Sequence, residues 1–75
     1  MATQVIDTCP THGTPVRREY DFGTLRPQPH VTVYSGCKCA TYDAELPHGR
    51  EVKLCASYAE ASGYARLALA IWDAA

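Results

Sequence analysis

Three cysteines and one histidine in this 75-residue chain are spaced as two close pairs. Cys9 and His12 share one short turn, and Cys37 and Cys39 share another. A domain this short buries a small core, so it commonly depends on disulfides or a metal ion for stability. Two close pairs of sulfur and nitrogen donors match a closed tetrahedral zinc site. We therefore predict that these four residues hold one structural Zn²⁺ ion.

The remaining cysteine leaves a second ligand set open. Cys55 lies two residues before the predicted cap of a helix, where it can replace Cys37 or Cys39 in the metal site. The set with Cys39 is preferred, because the turn that follows Gly36 can aim both of its sulfur atoms inward. A free Cys55 would then be an ordinary core residue, since cysteine is among the most buried residue types.

Two disulfides are the other use that four cysteines can have. Residues 1–8 contain neither the basic nor the apolar segment of a signal peptide, so we expect a cytoplasmic protein. The reducing cytosol favours metal binding over disulfides. The longest apolar stretch, residues 67–72, is too short to cross a bilayer, so no membrane partner is expected.

Runs of β-branched and aromatic residues, separated by glycine and proline, predict two β-hairpins. Their strands are residues 16–22 with 30–34 and residues 40–46 with 50–55. Within 30–34 the side chains alternate in character, which predicts an ordinary half-buried strand. Three tyrosines on these strands either offer contacts to a partner or complete a small core: Tyr20, Tyr34 and Tyr42.

A C-terminal helix over residues 58–73 is predicted from its cap and its periodicity. Ser57 and Glu60 fit a capping box, in which the serine oxygen accepts from the Glu60 amide and the carboxylate reaches back to the Ser57 amide. Ser62 and Arg66 are expected outside the core-facing stripe. Gly63 predicts the close approach of another element. The expected stripe is Tyr58, Ala61, Ala65, Ala68, Leu69 and Trp72, widened by Tyr64, Leu67 and Ile71.

The composition, with 47% hydrophobic and 20% charged residues, is that of a globular protein. We predict a single α+β domain over residues 1–75, a small zinc-stabilised fold with two β-hairpins and one helix packed on the sheet. Its parts are a metal-binding segment over 9–39, a hairpin over 40–55 and the helix over 58–73.

The segment Cys9-Pro10-Thr11-His12-Gly13, followed by a hairpin and a second cysteine pair, resembles a zinc ribbon or the related treble clef. In those families a CPxCG knuckle leads into a hairpin, and the likeness covers residues 9–39. It departs from the family pattern where His12 replaces a cysteine and where Cys37 and Cys39 form C-x-C instead of C-x-x-C. The resemblance implies a structural zinc ion and, for a ribbon, a role in binding nucleic acid.

The net charge of the chain favours a protein partner over nucleic acid. Seven Lys and Arg against eight Asp and Glu give a net charge of −1, which lacks the cationic excess that drives binding to phosphate backbones. Glu19 and Asp21 reduce the local charge further. Arginine and tyrosine are enriched at protein interfaces, so we expect the partner surface to contain Arg17, Arg18, Arg26 and Tyr20. Nucleic acid bound by the same three arginines is the alternative.

No catalytic role is expected. None of the common hydrolase, metalloprotease or nucleotide-binding motifs is present, and a site with four protein ligands leaves no position for activating water. His30 and His48 are expected to be solvated surface residues. A stand-alone chain of this size, rich in alanine and arginine, is similar to small accessory proteins of bacteriophages and actinobacteria, some of which inhibit host factors or defence systems. We therefore expect a non-enzymatic interaction module with no small-molecule substrate.

Overall fold

The computed structural model describes residues 8–23 and 28–74. These form one antiparallel sheet with strand order β1-β2-β3-β4, and the helix α1 packs on one face of it, mainly over β3. The elements are β1 (Val16–Asp21), β2 (His30–Tyr34), β3 (Ala40–Leu46), β4 (Gly49–Cys55) and α1 (Tyr58–Ala74). The predicted α+β class, both hairpins and the helix on the sheet are confirmed.

The register of the sheet decides which side chains meet α1. Tyr20, Val31, Tyr42 and Lys53 lie opposite one another across the four strands, on the face that α1 covers. Because successive side chains point to opposite faces, the residues one position away lie on the open face. The core between sheet and helix contains Val31, Ala40, Tyr42, Ala44, Leu46, Cys55, Ala61, Ala65 and Ala68.

Strand β2 is buried on both faces, so the expectation of a half-buried strand is wrong. Val31 faces α1 and is fully buried. Thr32 and Tyr34 on the opposite face are buried as well, and the exposed fraction of Tyr34 is 1%. The hydroxyls of Tyr34 and Thr41 hydrogen-bond at 2.6 Å. The turns that hold Cys9 and Cys37 lie beside Tyr34, which explains why this end of the open face is covered.

The helix begins where its cap was predicted to place it. The Glu60 amide donates to Ser57 Oγ at 3.3 Å. The Glu60 carboxylate accepts from the amide of Ala56, also at 3.3 Å, and not from that of Ser57. The two hydrogen bonds of a capping box are therefore present, but the amide that donates to the carboxylate lies one residue earlier than predicted.

The buried face of α1 is narrower than the predicted stripe. Leu67 and Ile71 are 61% and 40% exposed, so they do not widen the core contact. Ser62, expected outside, is buried, and its hydroxyl donates to the carbonyl oxygen of Ala59 at 3.0 Å. No atom of another described element lies within 4 Å of a Cβ built on Gly63, so the expected close approach there is also wrong. The helix rests on small residues and leaves an apolar outer surface.

His48 is exposed in the turn between β3 and β4, but His30 is held by two carboxylates. Its Nδ1 lies 2.6 Å from Asp21 Oδ1 and its Nε2 lies 2.9 Å from Glu19 Oε1, on the open face of the sheet. Burial lowers the pKa of His30, but the hydrogen bonds and charges of Asp21 and Glu19 outweigh burial and raise it above its ordinary value. His30 is therefore an ion-pair residue and not the solvated side chain that was expected.

This raised pKa predicts a pH-dependent contribution to stability. Protonated His30 stabilises the fold fully below its unfolded-state pKa of about 6.5, and the contribution is lost as pH rises through the raised folded-state pKa. We expect His30→Gln to destabilise the zinc-loaded domain by less than about 1 kcal/mol at pH 6, since the pair is partly exposed. The difference in unfolding free energy between the variant and the unmodified chain, measured from pH 6 to 8.5, should shrink. A difference in unfolding free energy that grows with pH would contradict the stabilising role of protonated His30.

Candidate metal centre

Two turns bring together the four predicted ligands. Cys9 and His12 lie in the turn before β1, and Cys37 and Cys39 lie in the turn between β2 and β3. Since β1 and β2 run antiparallel, the start of β1 lies beside the end of β2. One ligand atom from each of the four residues lies within 4.8 Å of the others. The sequence prediction that these distant residues become neighbours is confirmed.

The distances between donor atoms fit a single tetrahedral zinc ion. His12 Nδ1 lies 3.4 Å from Cys9 Sγ and 3.5 Å from Cys39 Sγ. Zinc bonds to sulfur and to imidazole nitrogen, at tetrahedral angles, place those two donors about 3.6 Å apart. Three thiolates and one neutral imidazole are also a ligand set that zinc prefers. The residues present therefore fit this metal in both geometry and chemistry.

The first turn is held by its own backbone. The Gly13 amide donates to the Cys9 carbonyl at 2.7 Å, and the Cys9 amide donates to the Thr14 carbonyl at 2.8 Å. Gly13 has a φ of 71°, a left-handed conformation that glycine adopts without steric cost. The backbone amides of Thr11 and His12 point to the Cys9 sulfur. This is the arrangement of a metal knuckle, in which amide groups stabilise the charge of a bound thiolate.

Thr14 supports the second turn, a role that was not predicted from the sequence. Its hydroxyl lies 3.4 Å from Cys37 Sγ, where it can donate a hydrogen bond to the thiolate. Partners of this kind orient metal ligands and tune their affinity. Gly36 has a φ of 76°, and a Cβ there would lie 3.4 Å from the Thr14 methyl group. The contact between the two turns therefore depends on both Gly36 and Thr14, which only the folded hairpin brings together.

The electrostatics of the cluster favour a cation at its centre. Burial disfavours ionisation of Cys9, but hydrogen bonds from the His12 side chain and from the His12 and Thr11 amides lower its pKa to about 6. Burial, followed by the neighbouring Cys9 and Cys37, raises the pKa of Cys39 to about 11. Placing three thiolates side by side is unfavourable unless a nearby cation compensates their charge. A divalent cation removes that repulsion and allows all three to bind as thiolates.

Cys55 lies apart from this cluster. It is buried in the core between the sheet and α1, opposite Ala40 on the neighbouring strand. Burial raises the pKa of its thiol, as expected for a structural cysteine in apolar surroundings. All four cysteines are unpaired. The structure thus groups Cys39, and not Cys55, with the other three donors.

Three of the predicted partner residues, Arg17, Arg18 and Tyr20, lie on β1 at one edge of the sheet. A bulge between Val16 and Arg18 lets Arg17 and Arg18 line one shallow cavity of about 120 Å³, together with Tyr20 and Val33. The Arg18 guanidinium lies 5.9 Å from the centre of the Tyr20 ring. Tyr20 is half-buried and packs on Tyr58 of the helix. Arg26 lies outside the described residues.

The expectation that Glu19 and Asp21 reduce the charge around these arginines is not met. Alternation along β1 puts Arg18 and Tyr20 on the face that α1 covers in part, and Glu19 and Asp21 on the opposite face. Both carboxylates are engaged by His30 there. The cavity beside Arg17 and Arg18 is therefore locally basic although the chain is slightly acidic.

Within residues 8–23 and 28–74, no helix combines the length and the hydropathy that crossing a lipid bilayer requires. No protein-family model, curated protein or solved structure matches the chain.

Proposed function

We propose that this chain is a non-enzymatic interaction module, in which a structural Zn²⁺ ion held by Cys9, His12, Cys37 and Cys39 fixes a surface that binds another protein. The observation that carries the proposal is the convergence of four donor atoms within 4.8 Å at the junction of two turns. Four protein ligands saturate a tetrahedral ion, so the zinc stabilises the fold and takes no part in catalysis. A reducing, cytoplasmic compartment would keep the thiols available for the metal.

The surface best placed for a partner is the basic cavity formed by Arg17, Arg18, Tyr20 and Val33. Three of these residues lie on β1, the strand that follows the first knuckle in the chain. Arginines beside an aromatic ring suit planar contacts with carboxylates, and arginine and tyrosine commonly dominate interface energetics. The partner is then a protein with an acidic patch. By its resemblance to small bacteriophage accessory proteins, the module would modulate or inhibit a host or defence protein.

The separation of Arg17 and Arg18 from the acidic face gives nucleic acid some support as a second candidate. Guanidinium groups bind phosphate as readily as carboxylate, and the local charge of the cavity is positive. The slightly negative net charge still opposes sequence-independent binding, which depends on neutralising many phosphates. A protein partner therefore remains the preferred proposal.

Charge reversal of the cavity tests whether it is the partner-binding surface. We expect the double variant Arg17→Glu/Arg18→Glu to weaken binding to the captured partner protein at least about tenfold, since central arginines are frequent hot spots. The matched control is Arg66→Glu, which reverses an exposed charge on α1 and should leave binding unchanged. Capture from a host lysate, followed by titration of the purified partner, provides the measurement, with the zinc content of each variant as the folding check.

Two results would contradict the proposal. One is unchanged partner binding by the double variant. The other is micromolar binding of the unmodified chain to random duplex or single-stranded DNA, with an affinity that falls steeply with salt, which would support the nucleic-acid function instead.

A further inference from the structure

Strand β4 forms the second edge of the sheet. It has seven residues, pairs with β3 on one side, and meets no other strand among those described. An edge strand of this length presents unpaired N–H and C=O groups and is a template for pairing with another chain. Natural proteins commonly shorten, bulge or cover such an edge, and the register between β3 and β4 shows no bulge.

The outward-facing backbone groups can be assigned from the hairpin. Leu46 and Gly49 are opposite one another across a two-residue loop, so they form a hydrogen-bonded pair. Hydrogen-bonded and non-hydrogen-bonded pairs alternate along an antiparallel ladder. The N–H and C=O groups of Arg50, Val52 and Leu54 are therefore directed to the free edge.

Apolar side chains line this edge on both faces of the sheet. On the open face, Val52 and Leu54 are 48% and 47% exposed. On the other face, Tyr64 packs over the Lys53 ammonium, whose nitrogen lies 5.2 Å from the ring centre. The exposed Leu67 lies beside Tyr64, where both line a groove of about 260 Å³. A strand added at this edge would cover apolar surface above and below.

The sequence of β4 is complementary to itself. In an antiparallel pairing centred on Val52, Glu51 lies opposite Lys53 of the second copy, and Lys53 lies opposite Glu51 of that copy. Both contacts are opposite-charge cross-strand pairs, which stabilise neighbouring strands. In the same register the outward backbone N–H and C=O groups of Arg50 lie opposite those of Leu54 in the second copy. Those of Val52 lie opposite those of Val52 in the second copy. We propose that two copies of this chain pair through β4 and form a continuous eight-stranded sheet with two-fold symmetry.

The helices leave room for this pairing. Since α1 lies mainly over β3, the two helices of such a dimer are separated by three strand spacings, about 14 Å. Helices in direct contact are about 8–10 Å apart, so the second copy meets no obstruction. The cavity of Arg17 and Arg18 lies at the opposite edge of each sheet. Both copies therefore keep that surface free, and the dimer is bivalent.

Sedimentation equilibrium of the zinc-loaded protein tests the proposal. The unmodified chain should show twice its 8.2 kDa mass at a concentration of about 100 µM, as expected for a small interface. Glu51→Lys or Lys53→Glu alone replaces two attractive pairs with two repulsive ones, and should weaken self-association at least about tenfold. An equimolar mixture of these two variants should recover the doubled mass, because each repulsive strand complements the other. Arg66→Glu, a charge reversal away from β4, should remain dimeric.

Each of three results would overturn the dimer. The first is an unmodified chain that stays at 8.2 kDa throughout the concentration range, which would leave the edge free for a strand from a different protein. The second is a Lys53→Glu variant that associates as tightly as the unmodified chain. The third is a mixture of the two variants that stays monomeric while both retain zinc and the circular dichroism of the fold.

Discussion

A chelator in excess should unfold most of the chain. In small zinc domains the free energy of metal binding, about 10–16 kcal/mol, is largely folding free energy. The apolar core is a weak substitute, because five of its described buried members are alanine: Ala40, Ala44, Ala61, Ala65 and Ala68. Tyr34, one of the largest buried side chains, packs beside the metal cluster and would lose its cover. We expect circular dichroism to show loss of both helix and strand signals.

The control is to add back different metal ions and to measure which of them restores the fold. One equivalent of Zn²⁺ should restore the spectrum, whereas Mg²⁺ should not, because magnesium binds oxygen ligands and not thiolates. A metal-free chain with an unchanged spectrum and an unchanged melting temperature would show that the core is sufficient alone.

Serine substitution should distinguish Cys39 from Cys55, the two candidates for the fourth ligand. Cys39→Ser should lose zinc and the folded structure, since its sulfur lies 3.5 Å from His12 Nδ1 within the cluster. Cys55→Ser should keep one zinc ion and cost about 1–3 kcal/mol of stability, because it places a hydroxyl in a buried apolar site. Zinc per folded chain and the free energy of unfolding, measured for both variants, provide the comparison.

The reverse outcome has a distinct meaning. If Cys39→Ser retains full zinc while Cys55→Ser loses it, the metal would be tied to the start of α1, as in a treble clef. The turn that contains Cys37 and Cys39 would then supply one ligand instead of two.

Local signals explain why much of the fold was predictable. The start of α1 depends on Ser57 and Glu60, whose bonds to nearby amides are encoded within a few residues. The ligand turns are equally local, since Gly13 and Gly36 both adopt the left-handed conformation beside their cysteines. The hairpin between the turns then determines that the two ligand pairs meet. Element bounds and the predicted metal cluster followed from these short-range features.

The features that sequence reasoning missed depend on contacts distant in the chain. Leu67 and Ile71 are exposed because a narrow stripe of small residues, which includes Ala61 and Ala65, fills the contact of α1 with the sheet. Nothing in the helix alone distinguishes these positions, since it is apolar around most of its circumference. The burial of Tyr34 likewise depends in part on the turn that contains Cys9, which is remote in the sequence.

The placement of opposite charges on the two faces of β1 was partly predictable from the sequence. Strict alternation separates Arg18 from Glu19 and Asp21, and this could have been deduced from the strand itself. The bulge that brings Arg17 beside Arg18 could not, because a one-residue irregularity in pairing has no reliable sequence signal here. The basic cavity therefore became visible only once the register of β1 and β2 was known.

The fold and the proposed binding surface both require one zinc ion per chain. Native mass spectrometry of the protein purified without added metal, combined with elemental analysis, measures this number and the oxidation state of the cysteines together. We predict one Zn²⁺ ion per 8.2 kDa chain with all four cysteines unpaired by disulfides. A folded chain that contains no zinc, and whose mass shows two disulfide bonds, would contradict the structural zinc site.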